Sequence, residues 1–197
     1  MCIRDRHRAR ETLILNADGN PMSMLPLSTM SWQDAIKNVV KGTHDVMDYY
    51  EDWFVSSPSV RLQVPSVVIT KRWSPSGRTV RFSGSNVYIR DEFTCQYCNQ
   101  VFTEDHLTKE HVHPKKLGGR LQWENIVAAC FPCNQRKSHH LNMKPITKPR
   151  KPSYGELVGK MRKLNLPLQI RHESWLKYVD WPAENIRLVP PESRPGT

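Results

Sequence analysis

Cys95-Gln96-Tyr97-Cys98, Glu110-His111-Val112-His113-Pro114 and Cys130-Phe131-Pro132-Cys133 are the three short runs that decide how this 197-residue chain reads. Each outer run is a Cys-x-x-Cys pair, a spacing that lets two thiolates wrap one tetrahedral ion. The 31 residues between the pairs exceed the gap of a simple zinc ribbon, so a folded segment is expected there. Two disulfides are the competing reading. It is the weaker one, because no signal peptide or other mark of secretion is read in the chain. Four thiolates on one Zn²⁺ leave no open position, so Cys95, Cys98, Cys130 and Cys133 predict a structural zinc site that takes no part in chemistry.

Working outward through the enclosed segment, residues 106–113 read as a strand and residues 115–122 as a loop turning at Gly118-Gly119. The apolar run NIVAAC at 125–130 reads as a second strand, and Pro132 suits the first turn of a helix running towards His140. The second Cys pair falls at the strand–helix junction, where an ion would lock helix to hairpin.

This strand–loop–strand–helix pattern, with His111, Asn125 and Asn134 at its three marked positions and four cysteines around it, resembles the HNH endonuclease family, in its zinc-stapled bacterial and phage form. The resemblance covers residues 90–140, with a looser likeness of residues 11–71 to the family's N-terminal extension. It implies a ββα-metal core that hydrolyses phosphodiester bonds. Under it, His111 is the general base that activates water. Glu110 and the Asn134 oxygen are hard ligands for a catalytic Mg²⁺ or Mn²⁺. Asn125 pins the loop or orients His111. Cleavage would leave a 5′-phosphate and a 3′-hydroxyl. The family usually carries Asp where this chain has Glu110, which puts metal preference or rate in question. Ser138, four residues after Asn134, argues against a pair of helical His ligands. His113, His139 and His140 are read as solvated or phosphate-facing.

Charge supports a polyanionic partner. Between residues 91 and 152 ten basic residues against six acidic ones give +4 of the chain's net +10. Lys115, Lys116, Arg120, Arg136 and Lys137 are the candidate phosphate contacts, which position a backbone without reading sequence. No apolar run is long enough to span a bilayer, so no membrane partner is expected.

On the N-terminal side, ETLILN at 11–16 reads as a strand closed by the turn Asp18-Gly19-Asn20-Pro21. Ser31 is placed to cap a helix carrying Trp32, Ala35, Ile36, Val39 and Val40 on one face, with Gly42 ending it. Residues 45–55 and 60–71 suit strands, and residues 72–85 a Ser/Gly/Arg linker before a short helix at 86–91. Beyond His140 the run MKPITKPRKPSYG has the composition of a semi-extended linker. Amphipathic helices are expected near 154–164 and 172–181. The first six residues, MCIRDR, resemble translated sequencing adapter, so they and Cys2 are set aside and the native N-terminus is expected to be missing.

The expected architecture is therefore α+β: an N-terminal extension and linker (7–85), a zinc-stapled ββα-metal nuclease core (86–142), and a linker with a helical tail (143–197). The expected activity is metal-dependent cleavage of double-stranded DNA in a bacterial or phage-infected cytoplasm. One copy would nick, and a homodimer would cut both strands. The alternative is a non-catalytic zinc module that binds nucleic acid, in which His111 only packs.

Overall fold

In the computed structural model, which describes residues 11–56, 58–75 and 79–189, the chain divides into two units. One takes residues 79–166; the other is assembled from the chain on both sides of it, up to residue 78 and from residue 167. Residues 1–6, expected to be artefact, lie outside the described residues.

The split unit is built on strand β1 (Glu11–Leu15), which pairs antiparallel with β2 (Thr29–Ser31) and parallel with β4 (Arg61–Thr70). Between them come helix α1 (Trp32–Val40) and strand β3 (His44–Ser56), giving the sheet order β2-β1-β4-β3. The Ser31 hydroxyl accepts the Asp34 N–H and so caps α1 as its position in the sequence predicts; Gly42 at φ +69° lets the chain leave it. Strands β3 and β4 match the two strand predictions, with register shifts between Val46 and Phe54 that bend the hairpin.

Leu13, Leu15 and Val67 pack with Ile170 and Trp175 from the far end of the chain. The Trp175 indole is 1% exposed and its Nε1–H donates to the Ser66 carbonyl, so its large apolar surface is buried without stranding its polar atom. The helix expected at 172–181 is instead a short 3₁₀ segment, Glu173–Tyr178. It lies between strands β7 (Leu168–Ile170) and β8 (Ile186–Leu188), which pair in parallel, and His172 caps it by accepting the Ser174 N–H at its Nδ1.

The other unit begins with helix α2 (Gly84–Arg90), two residues earlier than expected because Ser83 accepts the Asn86 N–H and caps it there. Next come the antiparallel hairpin β5 (Leu107–His111) and β6 (Ile126–Cys130), helix α3 (Phe131–Lys137) and helix α4 (Tyr154–Lys163). Every residue of β6 is buried. Arg90 ties these parts together. Its guanidinium donates to both Asp91 carboxylate oxygens and to the carbonyls of Trp123, Arg150 and Ile126, while Asp91 accepts the Ala128 N–H. A buried ion pair satisfied this completely avoids the penalty of an unpaired charge.

Two expectations about the C-terminal region are corrected. The Pro/Lys-rich stretch after His140 is held to this unit by Ile146 N–H to Gln96 carbonyl (2.8 Å) and by Arg90 to Arg150. The expected tail is also divided: α4 stays here, its Lys163 bridging Glu92 at 2.8 Å, while residues from 167 belong to the split unit. Composition marks prolines and lysines as linker-like, yet the Gln96 carbonyl and the Arg90 guanidinium give that backbone partners. Among the described residues no helix is long and apolar enough to cross a membrane.

Candidate active site

The four cysteines converge. Cys95 and Cys98 flank a tight turn in which the Asn99 N–H bonds the Cys95 carbonyl (2.9 Å) and Asn99 itself adopts φ +60°. Cys130 closes β6, and Cys133 lies in the first turn of α3, opened by Pro132. Their Sγ atoms all lie within 4.8 Å of one another, with Cys98 and Cys130 at 3.9 Å, far beyond a disulfide bond. A tetrahedral ion at about 2.3 Å from each sulfur needs sulfurs roughly 3.8 Å apart, so the donor set fits a thiophilic metal. Burial pushes the Cys95 thiol up, but N–H groups of Cys130, Cys98 and Tyr97 outweigh it and bring it down to about 7. Burial and the neighbouring thiols push Cys133 up to about 12, and burial likewise raises Cys98. Four sulfurs at such short range could share one cation, which would hold them as thiolates.

Next to this cluster, α3 lies along β5 with matched spacing. Asn134 Nδ2 donates to Thr108 Oγ1 at 2.7 Å, and Lys137 Nζ donates to Glu110 Oε1 at 3.0 Å. Two helix positions three residues apart thus meet two strand positions two residues apart, on one face of each element. Lys137 Nζ also donates to the His111 carbonyl at 2.6 Å, and its side chain is 0% exposed. The expectation that Lys137 contacts phosphate is therefore wrong, because its ammonium is enclosed and already paired. Arg136 points to the cysteines, with Nη2 3.3 Å from Cys133 Sγ.

The loop after β5 is held by one residue. Asn125 Oδ1 accepts the His113 N–H at 2.7 Å, and its Nδ2 donates to the carbonyls of His113 (3.1 Å) and Arg120 (2.9 Å). The backbone approaches so closely that a Cβ on Gly119 would lie 1.8 Å from the His113 carbonyl oxygen, and Gly118 takes φ +90°. His113 Nε2 meets the Leu117 carbonyl at 2.9 Å, a local loop contact.

The result is an open cleft of about 200 Å³ lined by Glu110, His111, Pro114, Lys115, Lys116, Ser138 and His139. Burial holds the His111 imidazole below its ordinary pKa. Glu110 opposes that shift, and Lys115 and Lys137 reinforce it, so the neutral form prevails at pH 7. Of the residues singled out from sequence, Glu110, His111, Lys115 and Lys116 line this cleft; Asn125 stands behind the loop, and Asn134, Arg120, Arg136 and Lys137 are not in the lining. His139, read from the sequence only as solvated or phosphate-facing, also lines the cleft. Ser138 leaves α3 at φ +46°, and the next side chain joins the cleft wall, a turn that no periodicity announces.

Comparison with known families adds two matches. The HNH endonuclease model matches residues 95–148, which span both cysteine pairs, the hairpin and α3. The model described as the HNH endonuclease-associated N-terminal domain matches residues 12–75. No curated protein matches the chain.

Proposed function

We propose, for a chain that belongs to the HNH endonuclease family through residues 95–148, that it hydrolyses phosphodiester bonds of double-stranded DNA with a divalent cation. The observation that carries this reading is the cleft in which the neutral His111 imidazole stands beside Glu110 under a rim of Lys115 and Lys116. His111 takes a proton from the attacking water, a role worth roughly 10²–10⁴-fold. Lys115 and Lys116 seat the phosphate, with Arg120 extending the basic track along the pinned loop. Asn125 touches no substrate and acts by holding the loop.

Glu110 and the Asn134 amide oxygen are hard donors of the kind that would hold Mg²⁺ or Mn²⁺, and His139 shares the cleft wall with Glu110; such an ion would supply Lewis acidity at the phosphate and the departing 3′ oxygen. Zn²⁺ on Cys95, Cys98, Cys130 and Cys133 is the structural counterpart, holding α3 to the hairpin. One copy acting alone nicks; two copies acting as a homodimer cut both strands, in the cytoplasm of a bacterium or an infected host.

One observation favours a second reading. Lys137 already neutralises the Glu110 carboxylate, as it would in a zinc module that binds nucleic acid without cutting it. Supercoiled plasmid incubated with Mg²⁺ or Mn²⁺ separates the two. Nicking abolished by EDTA and by His111→Ala is expected of the enzyme, and binding without nicking in any metal would overturn that reading.

A further inference from the structure

We propose that Lys137 is a positioning residue that leaves Glu110 one oxygen for a divalent cation and keeps the cation weakly held. The inference rests on reading Glu110 as the hard-ion ligand. Lys137 ends α3, its side chain fully enclosed, and its ammonium takes Oε1 of Glu110 while gripping the carbonyl of His111. Glu110, itself nearly buried, still contributes to the cleft wall, so the unengaged Oε2 is what it offers a cation there. A dication on that oxygen would sit within a few ångströms of a permanent positive charge in a poorly solvated place, where Coulomb repulsion is weakly screened.

The ammonium is held by its two hydrogen bonds, and the helix that carries it is tied down. Four residues earlier in the same helix Cys133 anchors α3 to the thiol cluster, and Asn134 bonds Thr108. Lys137 thus does two things by one contact: it orients the carboxylate beside the imidazole, and it lowers the affinity of the bare site. A phosphate arriving in the cleft brings the negative charge that offsets this repulsion. Cation and substrate therefore favour each other's binding.

The test is Mn²⁺ affinity of the full-length, zinc-loaded protein without DNA, read by the electron paramagnetic resonance signal of free Mn²⁺. Glu110→Gln identifies the component of binding that belongs to this site. Lys137→Met and Lys137→Gln are expected to tighten that component about tenfold or more, while Lys137→Arg, which keeps the charge, stays near wild type. A purely structural lysine would give unchanged or weaker binding in both neutral variants, and that result overturns the proposal. If Glu110→Gln leaves Mn²⁺ binding intact, the Glu110 reading fails and this inference falls with it.

If the neutral variants do not fold, the wild-type protein still answers through its lysine ammonium ¹⁵N resonances. One slowly exchanging ammonium signal, absent from Lys137→Arg and shifted by Mg²⁺, is expected. A signal unmoved by saturating Mg²⁺ overturns the proposal.

Discussion

Asn125 holds His113 at both of its backbone polar groups, accepting the N–H at 2.7 Å and donating to the C=O at 3.1 Å. With a third bond to the Arg120 carbonyl, this one amide closes the loop that carries Lys115 and Lys116. Asn125→Ala removes all three bonds and leaves partly buried backbone groups unpaired. The expected cost is about 2–3 kcal/mol in urea unfolding. If the loop presents substrate to His111, plasmid nicking should fall about a hundredfold as well.

Gly119 and Gly159 make a paired prediction about where a methyl group fits. A Cβ at Gly119 meets the His113 carbonyl oxygen at 1.8 Å, a clash with backbone that no side-chain rotation relieves. Gly119→Ala should lower the melting temperature and open the loop. Gly159 lies within α4, and a methyl added there would meet nothing within 4 Å, so Gly159→Ala should stabilise by about 0.5–1 kcal/mol through helix propensity. Thermal melts of the two variants should move in opposite directions.

The acid limb of the pH–rate profile should fall below pH 6.5. Burial, with help from Lys115 and Lys137, depresses the His111 pKa, and the active base is the neutral ring. Activity is therefore retained as pH drops past the ordinary histidine value and is lost only through the lower, folded-state value. Lys115→Met removes one depressing charge, so the limb should move to higher pH. A limb that stays put in Lys115→Met would remove Lys115 as an electrostatic influence on His111.

Stripping metal from the four cysteines should loosen the hairpin–helix contact. Cys133→Ser, or dialysis against a strong chelator, is expected to lower the melting temperature by about 10 °C or more. Because Cys133 and Cys98 are held protonated without an ion, Zn²⁺ uptake should release protons. Calorimetry in buffers of different ionisation enthalpy would measure that release. An uptake that releases no protons would mean the thiols are not the ligands.

Much of this molecule was legible as short-range pattern. The Cys-x-x-Cys pairs, the Ser31 cap, the Gly118-Gly119 turn and the order strand–loop–strand–helix are all set by neighbours a few residues apart, where spacing translates directly into geometry. Asn125 could likewise be assigned to the loop, because a buried amide beside a tight turn has backbone groups to satisfy.

Lys137 and His139 were not legible, and the reason is the same for both. A lysine in a basic run reads as solvent-facing, but which side of α3 meets β5 depends on how the thiol cluster rotates the helix, and its partner Glu110 is 27 residues away. His139 reaches the cleft only because Ser138 turns the chain at the helix end. Trp175 shows the effect at longer range, donating to Ser66 across 109 residues. By itself the sequence determined the pairing of the cysteines and most of the strands, turns and helices, since those follow from local sterics and hydrogen bonding. Only the tertiary structure decided which charges are buried against each other, because a buried ion pair depends on the packing of distant segments and leaves no periodic trace in the chain.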